Sequence, residues 1–328
     1  MIFYFALAAI CVTVVLFYRK KRTFNLKNDH FVVTGGSSGI GLAIAIQAAK
    51  MGANITIVAR SQERLDAAKD KIYSEIKNSE QRILTFSADI SIDNNLKDLV
   101  IEAEKKAGPI TVLINCAGAS VCSCFEDTSM EDFKKMLNVN FLGSINMTQA
   151  VVPLMKKRKH GHIAFVSSLA GLIGIYGYSA YSGSKFAVLG AAQALQMEVK
   201  TYNISITVSF PPDTDTPGFA EEMKNKPIET IRISESAGLY SAEDVAKQTL
   251  NDILNKKFMS TIGFDGLMLC TACSATMPTN SYFELLVQIF TMGILRLASF
   301  VYLKQCDHTI KKCARDKEME SKKTLQNE

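Results

Sequence analysis

At 328 residues the chain is long enough for one large α/β core and does not require two, and its hydrophobic fraction of 48% is high for a freely soluble enzyme. The apolar excess sits at the extreme N-terminus and over residues 262–303, which points to membrane contact. The net charge of +5 is split among short clusters (Arg19–Arg22, Lys156–Lys159 and the tail), so no single basic face suits nucleic acid.

The chain opens with an uncharged apolar run, residues 2–18, just long enough to span a bilayer as a helix. Arg19-Lys20-Lys21-Arg22 follows at once. A cleaved signal peptide carries its positive charge before the apolar stretch and a small-residue site after it, so this reversed order predicts an uncleaved anchor over residues 1–22. By the positive-inside rule, everything from Arg19 onward is expected in the cytosol. From Phe31, strand and helix patterns alternate: FVVT, the helix IGLAIAIQAAKMG, ITIVAR, a charged helix from Gln62 to Lys77, ILTFSADI, a helix from Asn94 to Lys106, and TVLINCAG. A helix after Met130, the strand HIAFVSS, a helix from Tyr181 to Lys200 and the strand ISITVSF continue the alternation. Apolar β-runs separated by amphipathic helices predict a Rossmann-like, doubly wound parallel sheet of about seven strands within residues 30–260.

Residues 262–303 read as an apolar, membrane-associated helical region. Tyr282 to Leu303 is long enough to span, but Glu284, Gln288 and Arg296 collect with Thr291 and Ser299 on one side of a helical wheel. A helix in the membrane interface, a shallow hairpin with residues 262–277, and a buried helix over a binding site all fit this pattern. Residues 304–328 show no apolar periodicity and are expected as a solvated, frayed basic tail. The eight cysteines are scattered, which fits a reduced, cytosol-facing compartment. Cys270-x-x-Cys273 has neither a second pair nor a nearby histidine, so no metal site is expected.

Thr34-Gly35-Gly36-Ser37-Ser38-Gly39-Ile40-Gly41 follows the first β-run and opens the first helix. Backbone N–H groups and a helix N-terminus can hold a pyrophosphate there, which makes Gly35, Ser37, Ser38, Gly39, Ile40 and Gly41 candidate cofactor contacts. At the end of the second strand an NAD enzyme places an acidic residue on the ribose. This chain has Arg60, with Arg64 one helical turn later, which favours the 2′-phosphate of NADP and hence NADPH. Asp89 and Asn115 close the third and fourth strands, at the carboxyl ends where such sheets bind ligands.

Tyr181-Ser182-Gly183-Ser184-Lys185 puts a phenol and an ammonium on one helix face, where the cation is expected to lower the phenol from its usual value of about 10. Ser168, at the end of HIAFVSS, can donate a hydrogen bond to a substrate oxygen held by that phenol. His30, His160, His162 and His308 fall in no nucleophile–base–acid arrangement, which argues against a serine hydrolase or a histidine-ligated metal enzyme.

In order, the glycine-rich turn, N-C-A-G, Asn140 within N-V-N, S-S-x-A-G around Ser168 and Y-S-G-S-K resemble the short-chain dehydrogenase/reductase family over residues 30 to 260. The resemblance implies carbonyl reduction in which Tyr181 is the general acid/base, Lys185 lowers its pKa and holds the nicotinamide ribose, Ser168 polarises the carbonyl, and Asn140 supports a proton-relay water. The stretches ALQMEVK (Ala194–Lys200) and PPDTDTPGFAEE (Pro211–Glu222), with the anchor and the apolar C-terminal region, more particularly resemble members that reduce a lipid ketone at the endoplasmic-reticulum membrane. The catalytic set fits a steroid or retinoid carbonyl as well. A non-catalytic NADP-binding adaptor would not need the Tyr181/Lys185 pair. The resemblance also implies self-association through helices.

Overall fold

The computed structural model describes residues 26–327 apart from 93, 94, 236, 237 and 280, with backbone alone at 320, 321 and 323–327. The expected anchor over residues 1–22 lies outside the described residues. Apolar runs form the parallel strands β1 (His30–Thr34), β2 (Asn54–Ala59), β3 (Ile83–Ser87), β4 (Val112–Asn115), β5 (Gly161–Val166) and β6 (Ile204–Ser209). Short β7 (Thr214–Asp215) and β8 (Tyr240–Ser241) pair apart from them, and β9 (Met259–Ser260) closes the main sheet. The seven strands of that sheet run β3-β2-β1-β4-β5-β6-β9, so the order reverses between β1 and β4 and leaves a crevice at their carboxyl ends.

Alternation along each strand divides the core into two layers. Phe31, Val33, Ile55, Ile57 and Ile114 face α1 (Gly39–Lys50), α2 (Gln62–Tyr73) and α9 (Ala242–Leu254). Val32, Leu113, Phe165, Ile206 and Val208 face α3 (Leu96–Ala107), α5 (Gly143–Arg158) and α6 (Ser179–Val199). Burying each large apolar side chain contributes roughly 1.5–3 kcal/mol, so both faces of the sheet must be covered. The remaining helices are α4 (Met130–Met136), α7 (Pro217–Glu222), α8 (Ile228–Ser234), α10 (Gly263–Ala272) and α11 (Tyr282–Asn327).

Two histidines serve the sheet. His30 Nδ1 lies 2.7 Å from the Gly108 carbonyl and so carries the proton, while Nε2 accepts from Thr56 Oγ1 at 2.8 Å. Thr207 Oγ1 gives its proton to the Lys257 carbonyl at 2.6 Å, so His162 Nε2 is the donor across its 2.9 Å contact with that hydroxyl. Burial pushes the His162 imidazole down to about 3, and the charge of Lys256 pushes the same way.

The C-terminal region departs from the sequence reading. Beyond Leu303, where a solvated, frayed tail is expected, α11 continues unbroken to Asn327. Cys313 is buried, Arg232 Nη1 approaches its sulfur at 3.1 Å and Asp316 at 3.4 Å, and Lys317 Nζ reaches buried Glu229 at 2.7 Å. Periodicity cannot show this, because the partners sit on α8. The first half of α11 turns Glu284, Gln288, Thr291, Leu295 and Ser299 toward the protein, half-buried. Leu286, Ile289, Phe290, Leu297 and Phe300 are exposed. Arg296, grouped with the polar side on the wheel, is exposed with them. Among the described residues α11 is the one helix long and apolar enough to cross a membrane.

Candidate active site

The glycine-rich turn folds where β1 meets α1. Gly35 has φ +67, and a Cβ there would stand 2.7 Å from the Ala117 Cα, so only glycine lets this turn press against the exit of β4. Thr34 Oγ1 locks the two loops by accepting from the Cys116 and Ala117 amides at 3.1 and 3.2 Å. Ser38 sits at the N-cap of α1 in extended conformation with no side-chain capping bond. The first-turn amides of such a helix have no intrahelical acceptor, which is the donor set a pyrophosphate needs.

Gly35, Ser37, Ser38, Gly39, Ile40 and Gly41 line one end of a cavity of about 1620 Å³. Arg60, Arg64, Asp89, Ser168, Tyr181 and Lys185 line it too, so the structure brings together twelve of the residues singled out in the sequence. Arg60 and Arg64 are exposed, beside the end of β2 and in the first turn of α2. Hydrogen bonds from Ser91, at 2.7 and 3.0 Å, are the main cause that holds the Asp89 carboxyl below its usual range, and Arg60 adds to it.

Asn115 and Asn140 stand behind the lining, not in it. Asn115, expected as a cofactor contact, is 1% exposed and donates to Thr148 Oγ1 at 3.0 Å, tying β4 to α5, while its Oδ1 is buried without a protein partner. A π-helical stretch at Leu137–Leu142 presents Asn140 from between α4 and α5. Its Nδ2 donates to the Ala119 carbonyl at 3.0 Å and Ser184 Oγ at 2.9 Å, and its Oδ1 accepts from the Ala119 amide at 2.8 Å. Both amide hydrogens are thus engaged inside the protein. Asn140 braces the β4 exit loop against α6, one bond from the Tyr181 carbonyl, to which Ser184 Oγ donates at 2.7 Å.

Tyr181 and Lys185 occupy successive turns of α6, with Lys185 Nζ 5.6 Å from the Tyr181 ring centre. That ammonium donates to the Val166 carbonyl at 3.0 Å, and burial pushes Lys185 down to about 8. The expected lowering of the Tyr181 phenol by Lys185 does not follow from this geometry. Burial pushes the phenol above its ordinary value, a hydrogen bond with Ser168 opposes the shift, and the carboxylates of Glu222 and Asp213 reinforce it.

Those carboxylates belong to a cluster that the motifs did not single out. Tyr178, its ring 5.3 Å from that of Tyr181, donates to Glu222 Oε1. Lys226, its side chain 1% exposed, lies 3.1 Å from Glu222 and 3.2 Å from Asp213. The signal was present as the i,i+4 pair Glu222/Lys226 and as Tyr178 one helical turn before Tyr181, but each spacing is common on any helix.

Fold and site define an oxidoreductase, and the chain belongs to the short chain dehydrogenase family, whose profile matches residues 29–227. It is 46% identical to the 3-ketodihydrosphingosine reductase of Mus musculus over 88% of this chain and 87% of that one. It is similar also to the 3-dehydrosphinganine reductase of Danio rerio, 47% identical over 89% of this chain and 88% of the relative. The crystal structure of levodione reductase shares the fold, with a TM-score of 0.66 at 23% identity over 73% of this chain and 97% of the other.

Proposed function

We propose that this chain reduces 3-ketosphinganine to sphinganine with NADPH, as a step in sphingolipid biosynthesis. The observation that carries the reading is the meeting of Ser168, Tyr181 and Lys185 in the one cavity that begins at the glycine-rich turn. The names of the relatives, matched over nearly their whole lengths, support the substrate. Arg60 and Arg64 support NADPH over NADH, because two guanidiniums stand where an acidic ribose ligand would repel a 2′-phosphate.

NADPH, when bound, supplies the hydride. The Tyr181 phenol, kept protonated at neutral pH by its buried and acid-flanked position, gives its proton to the oxygen at C3. Ser168 donates a hydrogen bond to the same oxygen, and the Lys185 ammonium holds the ribose. Asn140 keeps α6 and the β4 loop in register while this happens.

We infer attachment to the endoplasmic-reticulum membrane with the catalytic domain in the cytosol, supported by the basic run after the N-terminal apolar stretch and by the outward apolar face of α11. Self-association is inferred from the family resemblance alone. The deciding experiment incubates the membrane-bound protein with NADPH and 3-ketosphinganine and detects sphinganine. Turnover of a steroid or retinoid carbonyl in its place would overturn the substrate assignment.

A further inference from the structure

The cavity that holds Tyr181 does not stop there. At about 1620 Å³ it exceeds the roughly 300–1,000 Å³ of a usual single-ligand site, so it has room for a dinucleotide and a second molecule. Its far limb runs between α10 and α11, where Met268, Leu269, Leu295, Ala298 and Tyr302 line it. Asp265, the charged exception on α10, is exposed. Ser299 also lines this limb, but its hydroxyl is turned back onto the Leu295 carbonyl at 2.8 Å and offers no free donor.

We propose that this limb binds the alkyl chain of the substrate and opens toward the bilayer; the inference rests on the lipid-ketone reading. Three observations carry it. The limb adjoins the chemistry, since Cys273, just past α10, makes a 3.8 Å contact with the carbonyl of Leu172, four residues after Ser168. Both helices follow β9, the strand that closes the main sheet, and so are added to the α/β core after it is complete. On α11, Leu295, Ser299 and Tyr302 face the cavity, while Ile289, Phe290, Leu297 and Phe300 lie on the opposite side of the helix and are exposed. One helix therefore parts the cavity from an apolar outer surface that water solvates poorly, and a chain of methylenes is the ligand that suits both sides of such a partition.

The test uses the full-length protein in vesicles with 3-ketosphinganine and a short-chain 2-amino-3-ketone of the same head. Leu295→Trp, at a half-buried position that lines the limb, narrows it and should lower the ratio of long-chain to short-chain kcat/KM by at least about tenfold, while Leu286→Ala on the exposed outer face keeps the wild-type ratio. An unchanged ratio in the tryptophan variant overturns the proposal. A long-chain ketone carrying a photoreactive group at its tail gives a second readout that needs no turnover. Labelling of Met268, Leu269 or Leu295, competed by long-chain but not short-chain ketone, supports the limb, and labelling confined to the outer face of α11 overturns it. If the wild type reduces neither amino ketone, the assigned substrate fails, and the labelling result still decides the alkyl site.

Discussion

The phenol of Tyr181 sits among groups that keep its proton on, so at neutral pH the proton is present to be given to the substrate oxygen. Tyr181→Phe removes that proton and keeps the ring, so turnover should fall by roughly 10²–10⁴-fold with NADPH still bound, as read by single-turnover kinetics and by cofactor fluorescence. Near-normal reduction by this variant would remove Tyr181 from the mechanism. Arg60→Glu sets a negative charge against the 2′-phosphate and should raise the KM for NADPH by at least about tenfold while leaving that for NADH little changed. These residues were legible because their spacing fixes their geometry: Tyr181 and Lys185 share a helix face, and Arg60 directly follows β2. Asn115 and Asn140 were legible as positions but not as roles, because sequence cannot say whether an amide at a strand end points into a cavity or into the core. The Asp213, Glu222 and Lys226 cluster was the least legible, since it forms when the chain after β6 folds back over α6.

The strands and helices between β1 and β6 follow directly from apolar periodicity, and their boundaries shift by only a few residues, as where α6 begins at Ser179 and not at Tyr181. The end of α11 does not, because its anchoring partners Glu229 and Arg232 lie 88 and 84 residues away in sequence. The β5–β6 pair carries a pH dependence through His162. Its folded pKa of about 3 lies below the ordinary 6.5, so the unfolded chain binds the extra proton. The stability it contributes is complete above pH 6.5 and is lost as pH falls toward 3. At pH 5 the penalty is about 2 kcal/mol, so His162→Gln should narrow the drop in Tm between pH 7 and pH 5 relative to wild type. An equal drop in both proteins would assign the acid lability to other groups.

For the whole molecule, the proposed membrane attachment rests on two apolar regions, residues 2–18 and the outward face of α11. Removing residues 1–22 should weaken attachment without releasing all of the protein, because the exposed apolar face of α11 remains; flotation of wild type and truncation with the same vesicles checks this. Added protease should reach the catalytic core in intact microsomes, and a core protected until detergent is added would reverse the orientation. The length of α11 bears on how the enzyme stands at that surface. Forty-six residues at a rise of about 1.5 Å make a rod of about 69 Å, more than twice the roughly 30 Å hydrocarbon thickness of a bilayer. With lipid against its first half, the second half must project along the protein, where Asp316 and Lys317 clasp α8. On the proposed attachment, such a rod would act as a keel: it would fix the tilt of the domain, and with it the height of the cavity above the headgroups, so that each substrate would meet Tyr181 at one set depth.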